Sequence, residues 1–300
     1  MNVALLLNPA ARAGTAARTV GRAVERLRAH GVTVSVVSGG SAAESTTLLR
    51  VALDAGVDAV LVAGGDGTVA LAQQELCGSG IPLGIIPLGT GNDFATAVGL
   101  REGDVDAAAD AVIAGRSRTV DLGRITRADG STTLFGTVLA TGFDARVSDR
   151  ANRMRRPRGP SRYTVALLIE FLTLHAVPFA LELELADGTS RRVERDLVLA
   201  AVGNGPSYGG GIPICPDADI ADGLLDVTLV HAAGRLRLLR LLPAVYQGAH
   251  TGHPQVSMHR VRGIRLDAPD ATAYADGDPA GALPVRVDVV PGALRVFTGA

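Results

Sequence analysis

The sequence contains no lysine, so all 29 of its lysine-or-arginine side chains are arginine. This absence excludes two large classes of nucleotide-dependent enzyme. A P-loop enzyme needs the lysine of GxxxxGK[ST], and a protein kinase needs a lysine on its third strand. If this chain transfers phosphoryl groups, backbone N–H groups, a divalent cation and arginine must neutralise the phosphate charge.

Cysteine, net charge and long apolar runs are also scarce. Two cysteines in 300 residues, Cys77 and Cys215, are too few for a disulfide framework, and reduced thiols in a cytoplasmic protein are expected. A formal net charge of −1 provides no basic field for nucleic acid, so no nucleic-acid partner is expected. The longest apolar candidate, residues 163–185, carries Glu170, His175 and Pro178, and it is not expected to span a membrane. No signal peptide is expected at the start of the chain.

Two short apolar runs, each ending in glycine, threonine and aspartate, dominate the first third of the chain. AVLVA at 59–63 runs into GGDGT, and LGIIPL at 83–88 runs into GTGND. Apolar runs of this length with branched residues are typical of buried parallel strands, whose carboxyl ends meet at one edge of the sheet. The pattern therefore predicts an α/β fold in which two glycine-rich turns lie side by side at a ligand site.

The residues of the first turn favour a phosphate site. Gly64, Gly65 and Gly67 have no Cβ to keep a ligand away from backbone N–H groups, and a helix starting near Thr68 directs its positive end to the same point. Asp66 would repel a bare phosphate, so it fits only with a divalent cation, a proton or an arginine between them. The alternative is that Asp66 and Thr68 simply cap a helix, but a second similar turn favours phosphate binding.

GGDGT followed by PLGTGNDFA resembles the catalytic domain shared by diacylglycerol kinases, sphingosine kinases and bacterial lipid kinases, with a more distant likeness to NAD kinases. Both motifs occur in the family's order and near its spacing. The resemblance implies ATP as cofactor, a diacylglycerol-like lipid as acceptor, and a Rossmann-like, NAD-kinase-like parallel sheet in the first lobe.

The predicted secondary-structure pattern changes near residue 122, from alternating strands and helices to strand-rich sequence. We expect an α/β nucleotide-binding domain at 1–122, to which about 292–300 return by resemblance, and a β-sandwich-like lipid-acceptor domain at 123–291. Asp-Gly pairs at 129–130 and 187–188 predict hairpins in this second domain. The active site is expected in the cleft between the two lobes.

The resemblance implies roles for residues of the first lobe. Asn8 is expected to contact ATP, although an Asn-Pro turn explains it equally well, and Ser38 is the nearest match to a family threonine that faces the nucleotide. Mg²⁺ is expected to be held by Asp66, which is thereby also catalytic, and by Asp93, with Asp121 behind them. A strand-end turn is the alternative for Asp121. The other expected contacts to ATP come from the two glycine-rich turns: Gly64, Gly65, Asp66, Gly67, Thr68, Gly89, Thr90, Gly91 and Asn92.

Two aspartate turns of the second lobe also resemble family motifs. In ADGLL, Asp222 matches an aspartate that holds a structural Mg²⁺ together with backbone carbonyls, here those of Asp219 and Leu224. From the residues alone, a hairpin turn is the alternative. In YADGDPAG, Asp278 stands where the family has a glutamate that takes the proton of the lipid hydroxyl. Asp276 is the alternate base, and two solvated turn aspartates are a further interpretation.

An arginine-rich stretch at 146–163 precedes an apolar helix predicted at 164–174. These arginines predict either peripheral contact with the anionic inner face of the membrane or a solvated loop. A homodimer is left open. Two other functions also stay open: an NAD kinase-like enzyme, although its second motif is not seen, and a catalytically silent lipid- or nucleotide-binding regulator, which the aspartate in place of the family glutamate allows.

Overall fold

A computed structural model describes residues 1–8, 14–100, 103, 105–154, 156 and 161–298. By internal contacts the chain forms two compact units. Unit 1 comprises Met1–Leu122 with Val290–Ala300, and unit 2 comprises Gly123–Val289. The chain enters unit 2 within strand β5 (Ser117–Arg127) and returns to unit 1 within strand β14 (Val285–Phe297).

Unit 1 alternates strands and helices around a parallel sheet. Strand β1 pairs in parallel with β2 and β3, and β3 pairs with β4, which gives the order β4-β3-β1-β2. The α/β fold predicted for the first lobe is confirmed. Its elements before β5 are β1 (Asn2–Leu7), α1 (Gly14–Ala29), β2 (Thr33–Val37), α2 (Ala42–Asp54), β3 (Ala59–Gly64), α3 (Asp66–Leu76), β4 (Leu83–Pro87), α4 (Asp93–Ala97) and α5 (Val105–Ile113).

Strands β1, β3 and β4 are almost entirely buried, because helices cover the sheet, and this explains their unbroken apolar runs. One core packs Leu5, Leu61 and Ile86 against residues of α1 and α5. Phe297, from the end of β14, belongs to the same core, and its neighbour Val296 lies opposite Leu83 in parallel register. The last residues of β14 therefore complete the core of unit 1.

Unit 2 is built on antiparallel strands in the order β13-β12-β7-β9-β10-β11-β14, and β8 pairs with both β9 and β11. Strand β5 forms a hairpin with β6. The remaining elements are β6 (Thr132–Phe135), β7 (Val138–Gly142), α6 (Phe143–Arg153), α7 (Ser161–Leu172), β8 (Val177–Leu185), β9 (Ser190–Gly203), β10 (Leu225–His231), α8 (Arg235–Tyr246), β11 (Val256–Asp267), β12 (Thr272–Ala275) and β13 (Asp278–Ala282).

Alternate residues of the central strands of unit 2 enter two different cores. Ala200 and Val202 of β9 face a core to which no helix contributes, which is the interior of the predicted β-sandwich-like lobe. Leu199 and Ala201 face a second core to which α6, α7 and α8 contribute. These three helices form what we call the helical layer. Of these three helices α7 was predicted, whereas α6 and α8 were not.

None of the helices in the described part of the chain combines the length and hydropathy that crossing a membrane requires.

Candidate active site

The two glycine-rich turns of unit 1 lie side by side at the carboxyl ends of β3 and β4. Gly64 is opposite Pro87 in the parallel ladder, and the N–H group of Leu88 donates to the carbonyl of Gly64 at 2.9 Å. A Cβ on Gly89 would lie 2.6 Å from the Cα of Gly65. Because this contact is between backbones, any larger residue at Gly89 would force the two turns apart.

Helix α3 begins at Asp66, two residues before the expected start near Thr68. Its cap residue, Gly65, supplies no side-chain acceptor for the first-turn N–H groups. A Cβ on Gly67 would meet no atom within 4 Å, so this first-turn position faces open space. An uncapped helix start with open space beside it is a suitable place for an anion.

Asp66 connects the two turns. Its Oδ2 accepts a hydrogen bond from the N–H group of Asn92 at 2.8 Å, whereas its Oδ1 is buried without a hydrogen-bond partner in the described structure. Burial raises the pKa of Asp66, the charge of Asp93 raises this pKa further, and N–H groups of the second turn lower it. The turn thus holds a buried carboxylate close to a second one, with one oxygen unsatisfied.

These residues fit a magnesium ion. A cation beside Asp66 and Asp93 would satisfy the unpartnered oxygen and remove the repulsion between the two carboxylates. Among the described residues, no group of three or more histidine, cysteine, aspartate or glutamate side chains could hold a metal. Water and nucleotide phosphates would supply the other ligands, as is usual for Mg²⁺.

Asn92 shapes the second turn. Its backbone is in the left-handed region, with φ at 55°. Its side chain accepts from the N–H group of Gly89 at 2.9 Å and donates to the carbonyl of Gly89 at 2.8 Å. A Cβ on Gly91 would lie 2.6 Å from Oδ2 of Asp66. Direct contact of Asn92 and the exposed Thr90 with ATP stays a prediction.

Asn8 and Ser38 lie at the ends of neighbouring strands of the same sheet. The side-chain amide of Asn8 donates to the hydroxyl of Thr68 at 3.2 Å, which joins it to the first turn. The hydroxyl of Ser38 donates to the carbonyl of Leu7 at 2.9 Å. Residues 9–13 of the predicted Asn-Pro turn lie outside the described residues.

Asp121 is buried in β5, and its Oδ1 accepts from the N–H group of Gly292 at 2.7 Å. This hydrogen bond fixes the part of β14 that belongs to unit 1. The position of Asp121 behind the metal therefore stays a prediction, and sequence reasoning did not foresee its contact with β14.

In unit 2, Asp276 and Asp278 have different environments. Asp276 and Gly277 both have positive φ, at 50° and 88°, and form the two-residue turn between β12 and β13. The carboxylate of Asp276 accepts from the N–H groups of Gly136 at 2.7 Å and Thr137 at 2.9 Å, and also from the Thr137 hydroxyl. Asp278 is exposed at the start of β13. Asp276 therefore anchors the turn, whereas the carboxylate of Asp278 is exposed.

Gly136 and Thr137 form a hub that the sequence did not indicate. Besides holding Asp276, the carbonyl of Thr137 accepts from the N–H groups of Asn204 at 2.8 Å and Gly205 at 2.9 Å. The carbonyl of Gly136 accepts from the Asn204 side chain at 2.8 Å. The sequence signal was Asn204 itself, the first residue of the segment NGPSYGGG at 204–211, which ends in a triple glycine.

Known protein families match this chain over most of its length. The family "Diacylglycerol kinase catalytic domain" matches residues 2–125, and the family "YegS C-terminal NAD kinase beta sandwich-like domain" matches residues 137–298. A protein named "Diacylglycerol kinase" from Mycobacterium tuberculosis (strain ATCC 25618 / H37Rv) is 48% identical over 295 residues, which cover 98% of this chain and 94% of the relative. The chain belongs to the diacylglycerol kinase family.

More distant relatives of this lipid kinase family agree. "Probable lipid kinase YegS-like" from Klebsiella pneumoniae (strain 342) is 30% identical over 281 residues, covering 91% of this chain and 89% of the relative. A crystal structure of a diacylglycerol kinase from Bacillus anthracis str. Sterne has a TM-score of 0.74 at 21% identity, covering 99% of this chain and 97% of that chain. At this identity the structural likeness supports the fold, with an α/β first lobe and a β-sandwich-like second lobe.

The second magnesium site implied by the family is occupied by protein groups. In this lipid kinase, Oδ2 of Asp222 pairs with the guanidinium of Arg260, and Oδ1 accepts from the N–H group of Leu224 at 2.9 Å. The carbonyl of Asp219 accepts from the N–H group of Asp222 at 3.4 Å. A cation would have to displace Arg260, so these residues do not fit a metal as they are arranged. Ligation of Mg²⁺ there stays a prediction.

Asp144 is a titratable residue that sequence reasoning missed. It lies in the first turn of α6 and accepts a hydrogen bond from the hydroxyl of Tyr208, next to the triple glycine. Burial raises the pKa of Asp144 to about 7, whereas a hydroxyl donor favours the ionised form and opposes this shift. This carboxyl changes charge within the physiological pH range.

Several arginines in the arginine-rich stretch of the lipid kinase form ion pairs. Arg150 contacts Glu170 of α7 at 2.5 Å, and Arg146 lies 3.5 Å from the same carboxylate. Arg153 pairs with Asp149 at 3.0 Å. Residues 155 and 157–160 lie outside the described residues. The arginines of α6 therefore join two helices, which is a structural use that the prediction of a membrane anchor did not include.

Proposed function

We propose that this chain transfers the γ-phosphoryl group of Mg-ATP to the hydroxyl of diacylglycerol or a closely related lipid. Membership of a lipid kinase family implies ATP use and a lipid acceptor. The observation that carries the proposal is the buried, unpartnered Oδ1 of Asp66, beside Asp93 and between two glycine-rich turns. A magnesium nucleotide supplies the positive charge and the oxygen ligands that this arrangement needs.

The nucleotide is expected to bind with its phosphates toward the start of α3. Backbone N–H groups near Gly67 donate to phosphate oxygens, and the helix dipole adds to the attraction. Asp66 and Asp93 are the residues that would hold Mg²⁺, and the ion would supply positive charge to neutralise the phosphates. Asn8 and Thr68 border the same edge of the sheet and orient the nucleotide. No lysine takes part, so catalysis depends on positioning and on these fixed donors.

Asp278 is the proposed general base. Its carboxylate accepts the proton of the lipid hydroxyl, while the hydroxyl oxygen forms a bond to the γ-phosphorus and the bond to the leaving oxygen of ADP breaks. Its exposure at the start of β13 supports this role, as does the engagement of Asp276 with Gly136 and Thr137. Because the lipid acceptor resides in a bilayer, the proposal includes peripheral contact with an anionic membrane face.

A panel of labelled acceptors tests the proposed function. Purified protein with Mg-ATP is expected to label diacylglycerol in mixed micelles, and the Asp66→Asn variant is expected to fail at the same protein concentration. Sphingosine, ceramide, phosphatidylglycerol and NAD are the competing acceptors. Labelling of NAD alone would contradict the lipid assignment. A silent regulator would bind ATP and label nothing, with Asp278→Ala indistinguishable from wild type.

A further inference from the structure

Helix α8 of unit 2 has leucines on its outward face. Leu238 and Leu241 are buried in the core that α6, α7 and α8 share, whereas Leu236 is 72% exposed and Leu239 is 50% exposed. Tyr246, near the end of the helix, is also exposed. The outward face of a surface helix normally carries polar residues, so two leucines there indicate a surface that meets something apolar.

Three arginines flank these leucines without a counter-charge. Arg235, Arg237 and Arg240 are exposed, and none of them forms an ion pair or a side-chain hydrogen bond within the described structure. The chain contains no aspartate or glutamate from residue 231 to residue 260. By contrast, Arg22 and Arg26 of α1 and Arg150 of α6 are paired with acidic side chains.

The start of α8 is also unfavourable by the ordinary rules of helix stability. Its cap residue, Gly234, makes no side-chain hydrogen bond, and the first turn contains no acidic residue. Arg235 and Arg237 instead place two cations at the positive end of the helix dipole. A sequence that breaks local rules for charge and for polarity on the same helix points to a function for that helix.

We propose that α8 is a docking helix for an anionic lipid surface. Leu236 and Leu239 enter the boundary between head groups and acyl chains, while the three arginines bind lipid phosphates beside them. The positive charge of this helix face identifies its partner, because unpaired arginines around exposed leucines are complementary to an anionic bilayer. This inference rests on the proposed function, since a lipid acceptor must be reached at a membrane, but docking itself requires no nucleotide and no turnover.

A second helix of the helical layer also has exposed leucines. Helix α7, which packs on the same core as α8, exposes Leu168 and Leu172. Arg146 and Arg150 of α6 are paired with Glu170, so these two arginines differ from the unpaired arginines of α8.

Vesicle sedimentation tests the docking helix. The full chain, without ATP, is mixed with vesicles of phosphatidylcholine alone or of phosphatidylcholine with phosphatidylglycerol. One arginine near an anionic surface changes the partition coefficient about fivefold, so changing all three to glutamine is expected to weaken binding roughly a hundredfold. Binding of the wild type is also expected to fall as salt is raised, because salt screens exposed charges.

A matched control separates a local surface from overall charge. Arg191, Arg195 and Arg265 are exposed on strands of unit 2, and changing these three to glutamine alters the net charge by the same amount. This control is expected to bind anionic vesicles like the wild type. Equal loss of binding in the control and in the α8 triple variant, or undiminished binding of the triple variant, would overturn the proposal.

The leucines give a second, independent test. Leu236→Ser with Leu239→Ser removes apolar area while leaving every arginine in place, and it is expected to weaken vesicle binding at high salt as well as at low salt. The circular dichroism spectrum of each variant shows whether it is folded. If light scattering instead finds a dimer that either α8 variant converts to monomer, a second copy is the occupant and the lipid proposal is wrong. Vesicle binding that persists in a protein with no kinase activity would leave docking intact and refute only the proposed function.

Discussion

The substitution Gly67→Ala is expected to raise the stability of the protein and, at the same time, to weaken ATP binding. Gly67 is the second residue of α3, and a Cβ there would meet no protein atom within 4 Å. Alanine is about 1 kcal/mol better than glycine inside a helix, and we expect about half of that in the first turn. The melting temperature without nucleotide should therefore rise by about 1–2 °C.

ATP affinity should move in the opposite direction. If a phosphate approaches the first-turn N–H groups, it occupies the space that the new methyl group takes. Loss of one hydrogen bond to a charged phosphate costs about 1.5–3 kcal/mol, which is about a 10- to 100-fold weaker affinity. Isothermal titration with ATP and Mg²⁺ measures this change directly.

Gly21→Ala is the matched control. Gly21 lies within α1, and a Cβ there would also meet nothing within 4 Å. This variant should be stabilised by up to about 1 kcal/mol and should bind ATP like the wild type. If Gly67→Ala binds ATP with unchanged affinity while its melting temperature rises, phosphate does not approach the start of α3, and the argument from the first glycine-rich turn is refuted.

Three further predictions concern carboxylates. Asp278→Asn should lower kcat about 10²- to 10⁴-fold with little change in ATP affinity, whereas Asp278→Glu should keep most of the rate. Initial rates measured at varied ATP concentration test this. Equal losses of rate in the two variants would show that Asp278 is not a base. In the Arg260→Ala variant the carboxylate of Asp222 lacks its guanidinium partner, so added Mg²⁺ should raise the melting temperature of this variant. Combining Arg260→Ala with Asp222→Asn should abolish that rise. If Mg²⁺ stabilised the wild type through Asp222 by the same amount, the prediction would be contradicted. Asp144→Asn should stabilise the protein more at pH 8 than at pH 5. The folded-state pKa of Asp144, about 7, lies above its unfolded value of 3.8, so the folded state binds more protons and wild-type stability falls as pH rises between these values. Thermal melts of the wild type and the variant across this pH range test the raised pKa. A constant difference between their two melting temperatures would refute it.

The parts of the fold that the sequence predicted are those set by local pattern. Strands β3 and β4 are continuous branched runs because both faces of the sheet are covered, and each run ends where a glycine-rich turn begins. The Asp-Gly pairs at 129–130 and 187–188 lie in the β5–β6 and β8–β9 hairpins. Each of these signals lies within a few residues of the structure that it predicts.

The parts that were missed depend on distant partners. The carboxylate of Asp276 is held by Gly136 and Thr137, about 140 residues earlier in the chain, and nothing near Asp276 indicates that contact. Arg260 reaches Asp222 across 38 positions, so a metal ligand and an ion-pair partner look alike in the sequence. Helix α8 was missed for a different reason, since it lacks the capping and acidic first-turn signals by which helix starts are recognised.

The return of β14 to unit 1 has a consequence for biosynthesis. Phe297 fills part of the hydrophobic core that α1, β1 and β3 begin to form near the start of the chain. A ribosome must therefore translate as far as Phe297 before that core can close, and until then apolar side chains of β1 and β3 are not fully covered. Unit 2, which is contiguous from Gly123 to Val289, has its full set of residues sooner. Nascent chains stalled before Phe297 should thus be targets for chaperones and proteases.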